Sequence, residues 1–319
     1  MVHTAVKRKE VLLTSPRGFC AGVERAIEIV EIALEMHGPP VYVRKEIVHN
    51  PHVVEALRAK GAIFVESEEE VPPGRVIIYS AHGIAPSVRE NSAARGLTGI
   101  DATCPLVTKV HLEAKKYVKG GYSILLIGHA GHDEIIGTMG EAPQAIQLIE
   151  HVDDAQVVQV PNPQKVVCLT QTTLSVDDTR DIVETLKMRF PAILVRNDIC
   201  YATQNRQTAI KGLAGKVDLI LVVGAANSSN SVRLMEVARA QGINAHRIAD
   251  VKEIDPAWLN GVTSIGISSG ASTPEIKVTE VLHYLKARDY ATSHEIKVVD
   301  EDVTFTLPRE LRAYRKTAS

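Results

Sequence analysis

Residues 15–34 read SPRGFCAGVERAIEIVEIAL, and two later stretches follow the same plan: 101–118, DATCPLVTKVHLEAKKYV, and 197–214, NDICYATQNRQTAIKGLA. In each, an extended or loop segment reaches a cysteine, and an amphipathic helix pattern starts directly after it. The cysteines are Cys20, Cys104 and Cys200, spaced 84 and 96 residues apart, close to one small domain each. A second element recurs downstream of each: VYVRKEIVHNPHVVEAL (41–57), SILLIGHAGHDEIIGTM (123–139) and LILVVGAANSSNSVRLMEVA (219–238). It reads as a buried strand, a polar loop and a helix start, and places His49, His132 and Asn230 at offsets of 29, 28 and 30 from their cysteines. A third element, RVIIYSAHGIAPSVRE (75–90), KVVCLTQTTLSVDDTRDIVETL (165–186) and SIGISSGASTPEIKVTEVLHYL (264–285), places His82, Thr172 and Ser272 at offsets of 62, 68 and 72.

Three elements matched in three copies make an internal triplication. Strands alternating with helices predict an α/β fold of three similar small units with parallel-type sheets. The expected division is 1–104, 105–196 and 197–285, with 286–319 as a C-terminal tail. The tail mixes charges with one strand-like stretch, Glu295–Val303, and reads as a wrapping or partly ordered extension. Ligands of parallel sheets bind beyond the carboxyl ends of the strands. The cysteines and the polar loop residues all fall there. Packing about a pseudo-threefold axis would turn them toward one central cavity.

Composition narrows the function. With 45% hydrophobic and 23% charged residues, 319 residues bury a real core. Thirty-six basic against 38 acidic side chains leave no global field for nucleic acid, and 4% aromatic residues supply few stacking platforms. The longest apolar run, near Leu219–Ala226, is far short of the roughly 20 residues of a membrane span. The polar, basic start, Met1–Glu10, lacks the apolar stretch of a secretory signal, so the expectation is a cytoplasmic protein. Four cysteines are too few for a disulfide scaffold, and in a reducing compartment they are more often ligands or nucleophiles.

Three equivalent cysteines suggest three thiolates at one metal centre. An iron–sulfur cluster normally takes four, so three would leave one iron open. Zinc is the rival, and inert buried thiols are the third reading. No CxxC or HxxxH spacing favours zinc. Cys168, in the apolar run KVVCLT, has no counterpart in the other units and reads as a small buried hydrophobe.

The loops carry His49, His82, His132, Glu134, Thr172, Thr173, Ser228, Ser229, Asn230 and Ser272. Hydroxyls, an amide and imidazoles at helix N-termini suit an anion such as a diphosphate. Lys and Arg are missing from these motifs, so binding would rest on protonated His and oriented dipoles. Ser, Thr and Asn before a helix also serve as plain N-caps. Glu134 reads either as a proton carrier or as a first-turn acid favouring the helix dipole. No GxGxxG follows a strand, and GxxxxGK[ST] and HExxH are absent, which argues against a Rossmann-held nicotinamide or flavin and a P-loop.

Together, PRGFCAGVERAIEIVE, KEIVHNPHVV, SAHG, DATCPLVTKVH, GHAGHDEIIGTMGE, TQTTLSVDDT, NDICYATQNRQ, NSSNS and SGASTPE resemble the 4-hydroxy-3-methylbut-2-enyl diphosphate reductase family, in order over residues 11 to 285. The resemblance implies a trefoil of three α/β domains around one [4Fe-4S] cluster with an open iron, held by Cys20, Cys104 and Cys200. It implies diphosphate binding by His49, His82, His132, Ser228, Ser229, Asn230 and Ser272, with Thr173 and Gln171 as close neighbours. Glu134 corresponds to the proton-relay acid and Thr172 to the threonine near the substrate hydroxyl. The implied reaction removes that hydroxyl as water, adds two electrons and two protons, and yields isopentenyl and dimethylallyl diphosphate. Reduced ferredoxin or flavodoxin is the implied donor. The readings beside it are a non-enzymatic iron–sulfur redox sensor and a zinc hydrolase of a phosphorylated substrate.

Overall fold

A computed structural model describes residues 9–290 and 292–318. The polar start read from Met1 to Glu10 lies outside the described residues up to position 8. The chain begins with β1 (Glu10–Ser15), α1 (Ala21–His37), β2 (Val41–Arg44), α2 (Pro51–Ala59), β3 (Ala62–Val65), β4 (Val76–Tyr79), α3 (Pro86–Ala94) and β5 (Thr98–Asp101). It continues with α4 (Pro105–Lys119), β6 (Ser123–Ile127), α5 (Asp133–Gly140), β7 (Ile146–Ile149), α6 (Val152–Val157), β8 (Val166–Thr170), α7 (Val176–Arg189) and β9 (Leu194–Val195). It ends with α8 (Tyr201–Lys211), β10 (Leu219–Val223), α9 (Ser229–Ala240), β11 (Asn244–Ile248), β12 (Ser264–Ser269), α10 (Glu275–Lys286), β13 (Thr292–Lys297) and α11 (Arg309–Ala318).

The strands form three sheets, ordered β3-β2-β4-β5, β7-β6-β8-β9 and β11-β10-β12-β1-β13, and every pairing is parallel. Covered on both faces, parallel strands need unbroken apolar runs. The central strands supply them: SILLI in β6, VVCLT in β8 and LILVV in β10.

The strand leading into each cysteine joins the sheet of the elements before it: β5 precedes Cys104, β9 precedes Cys200, and β1 precedes Cys20. β1 takes the equivalent place beside β12, Glu10 opposite Ser264 through Leu13 opposite Ile267. The division expected to start a first unit at residue 1 therefore runs differently here. Among the described residues, those from 9 to 20 cluster with 201–302, and 21–200 cluster with the residues from 303 to 318. The first unit holds the five-stranded sheet, whose core includes Val11, Leu221, Ile265 and Val278. The second holds both four-stranded sheets, with cores around Leu125 and Ile182, Ile124 and Val110, and Ile77 and Val88.

The tail also differs from the reading of 286–319 as an extension. Thr292–Lys297 pairs with β1 over its full length, so the strand ends six residues before Val303. Helix α11 was not legible, because it is short and strongly polar, with few apolar residues among its charges.

Candidate active site

In the unit of 21–200, three strand-to-helix turns bring three imidazoles together. His49 precedes Asn50, which caps α2 by accepting from His52 N at 2.9 Å, with Pro51 at the first helical position. His82 follows β4 in the turn Ser80–Gly83, where Gly83 has φ +83° and an added Cβ would lie 3.0 Å from His111 Nε2. Glycine meets both demands at that point. His132 caps α5, its Nδ1 accepting from Glu134 N at 3.2 Å. His49 stacks on His82 with centroids 4.0 Å apart, and His132 stands edge-on to them at 5.3 and 5.8 Å.

Crowding three basic rings in a buried place disfavours charging them. Burial, then the neighbouring His49 and His132, hold His82 well below the ordinary histidine range. Burial, then His49 and His129, bring His132 down to about 4. Both rings are therefore neutral at pH 7, where the sequence suggested protonated histidines. The sequence reading missed this because imidazole–imidazole distances are tertiary. Nδ1 of His49 lies 3.1 Å from Glu46 Oε2, which fixes that ring's orientation. His49, His82 and Asp133 also bring ligand atoms within 4.8 Å of one another, so a divalent metal is a second chemical possibility there.

Glu134, the second residue of α5, is only 2% exposed. Its two oxygens are both taken by Thr172: the backbone N–H donates to Oε1 at 2.7 Å and Oγ1 donates to Oε2 at 2.9 Å. Burial raises the carboxyl to about 7, against the lowering effect of the Thr172 bonds and with help from the charge of Asp198. Such a group changes protonation near neutral pH, as a proton donor must. Gln171 accepts from His129 N at 3.1 Å and donates to Thr173 Oγ1 at 2.9 Å, so the Thr172–Thr173 turn is held from both sides.

Each site cysteine opens a helix and anchors its N–H on the turn after a third strand. Cys104 N donates to Ala81 O at 3.0 Å and Cys200 N to Thr172 O at 3.0 Å; in the other unit Cys20 N donates to Ala271 O at 3.2 Å. One carbonyl, that of Thr172, thus ties the Cys200 turn to the partner of Glu134. Helix N-termini favour thiolate. The three site cysteines are partly exposed. Cys168 is fully buried on β8, and burial, aided by Asp198, pushes its thiol up to about 12. Each of these three accessible thiols is a soft donor of the kind that suits iron–sulfur ligation, whereas the buried Cys168 is not accessible.

In the unit of 201–302, Ser228 caps α9 by accepting from Ser231 N at 3.3 Å and Ser231 Oγ at 3.1 Å. Asn230, buried, accepts from Ala271 N at 2.9 Å and donates to Thr203 Oγ1 at 3.2 Å. Its Oδ1 therefore braces the residue whose carbonyl receives Cys20 N. Ser272 is buried beside it, and Ser229 is partly exposed.

Two supporting residues were not singled out from the sequence. Asp198, buried, accepts from Lys109 Nζ at 3.0 Å and adds charge next to Glu134. Arg206, fully buried on α8, donates to Gly18 O at 2.8 Å and to Glu301 at 3.0 Å, bracing the Cys20 loop. The usable signals were an acid two residues before Cys200 and a lone Arg on the inner face of α8.

A sequence model of the LytB protein family matches residues 11–286. A 4-hydroxy-3-methylbut-2-enyl diphosphate reductase of Nocardia farcinica is 56% identical over 97% of this chain and 93% of its own length. One of Acidothermus cellulolyticus is 56% identical over 96% and 91%. Among solved structures, the E-1-hydroxy-2-methyl-but-2-enyl-4-diphosphate reductase of Plasmodium falciparum superposes with a TM-score of 0.94 at 41% identity, covering 98% of this chain and 99% of that one.

Proposed function

The chain belongs to the LytB family, and from that premise we propose that it is the reductase that converts 4-hydroxy-3-methylbut-2-enyl diphosphate into isopentenyl and dimethylallyl diphosphate. The substrate C–O bond breaks, its oxygen leaves as water, and two electrons and two protons enter. The redox-sensor alternative has no support, since full-length relatives are pathway reductases.

We assign Cys20, Cys104 and Cys200 as the ligands of one [4Fe-4S] cluster; the three partly exposed thiols at helix starts support that assignment. When bound, the cluster supplies electrons singly and a Lewis-acidic iron. The remaining chemistry belongs to the chain. Glu134, protonated in part at neutral pH, delivers a proton to the departing hydroxyl. Thr172 Oγ1, now on Glu134 Oε2, is placed to orient that hydroxyl. His49, His82 and His132 clamp the diphosphate and become charged as it arrives, because an anion nearby favours the protonated ring. Ser228, Ser229, Asn230, Ser272 and Thr173 add neutral donors. Held at its diphosphate, the substrate presents its hydroxyl in one orientation. The electron donor is a reduced ferredoxin or flavodoxin, and the setting is cytoplasmic.

The observation that carries this reading is Glu134 held on both oxygens by Thr172, whose carbonyl anchors Cys200. Protein purified without oxygen tests it. Iron and sulfide near four per chain, with turnover lost in Glu134→Gln while substrate still binds, is the expected result; a colourless, zinc-only protein overturns it.

A further inference from the structure

Within the unit of 21–200 and 303–319, helix α4 and the 306–312 segment enclose an open cavity of about 600 Å³. Its rim is basic. Lys116 on α4 and Arg309 and Arg312 on α11 are exposed, and none forms a salt bridge among the described residues. The two acids facing the cavity are already accounted for: Asp101 receives Arg89 at 2.6 Å, and Glu113 is partly buried 3.9 Å from Lys109. Lys109 itself is engaged by Asp198 at 3.0 Å. The floor is apolar, and Leu112 projects into it 59% exposed. An apolar centre within an Arg/Lys rim is the make-up of a protein-docking patch.

The wall includes Thr103 and Pro105, the two neighbours of Cys104. Arg25 ties that wall to the C-terminal segment, donating to Thr103 O at 3.0 Å and Thr306 O at 2.8 Å. A partner seated here is one residue from a thiol assigned to the cluster.

We infer that this cavity is the docking face for an acidic one-electron carrier protein. The inference rests on the reductase reading above. Each turnover consumes two electrons: one substrate C–O bond breaks, one C–H bond forms, and the two protons end on that carbon and in the released water. Two reduced carriers must therefore call in succession, each leaving oxidised by one electron. Brief redox encounters use small interfaces, and complementary charge raises their on-rate and makes it salt-sensitive. The surplus of positive charge fixes the sign of the partner.

The test uses the holoenzyme with two donors: reduced plant-type ferredoxin, an acidic protein, and dithionite-reduced methyl viologen, a small cation. Lys116→Glu and the double variant Arg309→Glu/Arg312→Glu lie on separate helices, so misfolding of one leaves the other informative. Each is expected to raise KM for ferredoxin about tenfold at low salt and to flatten its salt dependence. Turnover with viologen should stay within twofold. Leu112→Ser should weaken direct binding of oxidised ferredoxin in a titration without changing viologen turnover. An unchanged ferredoxin KM in all three variants overturns the inference, and so does an equal loss with both donors. A wild-type holoenzyme inactive with viologen would instead sink the reductase reading.

Discussion

The two units present their polar turns in different chemical states. In residues 21–200 the turns after β2, β4 and β6 hold three imidazoles within 5.8 Å of one another, and a buried carboxyl lies on α5. In residues 201–302 the equivalent turns hold Ser228, Asn230 and Ser272, which carry no titratable proton near pH 7; Ser228 accepts from Ser231 N and Asn230 from Ala271 N. Both use the same strand–turn–helix scaffold, yet these turns carry titratable groups in the first and neutral ones in the second. The repeat supplies position; the side chains divide titratable groups from neutral hydrogen-bonding ones.

The largest test of that division starts at the thiols, which both units share. Cys104→Ser should abolish bound iron and turnover, measured by iron and sulfide per chain, while Cys168→Ala should keep both. Equal iron loss in the two would erase the distinction between turn and strand cysteines.

Glu134→Gln should lower kcat roughly 10²–10³-fold while substrate affinity moves less than threefold. Wild-type rate should fall as pH rises through about 7, since the acid form is then lost, and the variant should lack that limb. A pH–rate profile of each decides it.

At the next level down, His82→Asn should weaken binding of inorganic diphosphate about tenfold, and Ser272→Ala only two- to threefold. Neutral His82 and His132 must gain protons when the anion binds, so calorimetry in two buffers of different ionisation enthalpy should show proton uptake at pH 7. Uptake that persists in a His82→Asn/His132→Asn variant would remove the imidazoles from the account.

A separate readout is stability. The folded Glu134 carboxyl, near 7, holds its proton more tightly than an unfolded one at 4.5. Its contribution is therefore full below about 4.5 and is lost as pH rises toward 7. Urea midpoints of wild type minus Glu134→Gln should fall across that window. For His132, lowered to about 4, the sign reverses: stability is lost as pH falls from 6.5.

Much of the architecture was present in the sequence. Apolar runs such as SILLI and LILVV read as buried strands, and Ser228 before a helix pattern fitted an N-cap because a local acceptor there satisfies an orphan N–H. The three site cysteines and the loop residues were legible because three copies repeat one local plan. What depends on distant parts of the chain was not. The place of β1 beside β12, 254 positions away, follows from an open sheet edge that no local pattern encodes. The neutrality of His82 and His132, the raised carboxyl of Glu134 and the bracing of Cys20 through Asn230 and Arg206 arise from burial and from charges and carbonyls that only folding brings near. Sequence by itself determined which groups are available; tertiary structure decided their protonation and partners, because desolvation and hydrogen bonding act through space rather than along the chain.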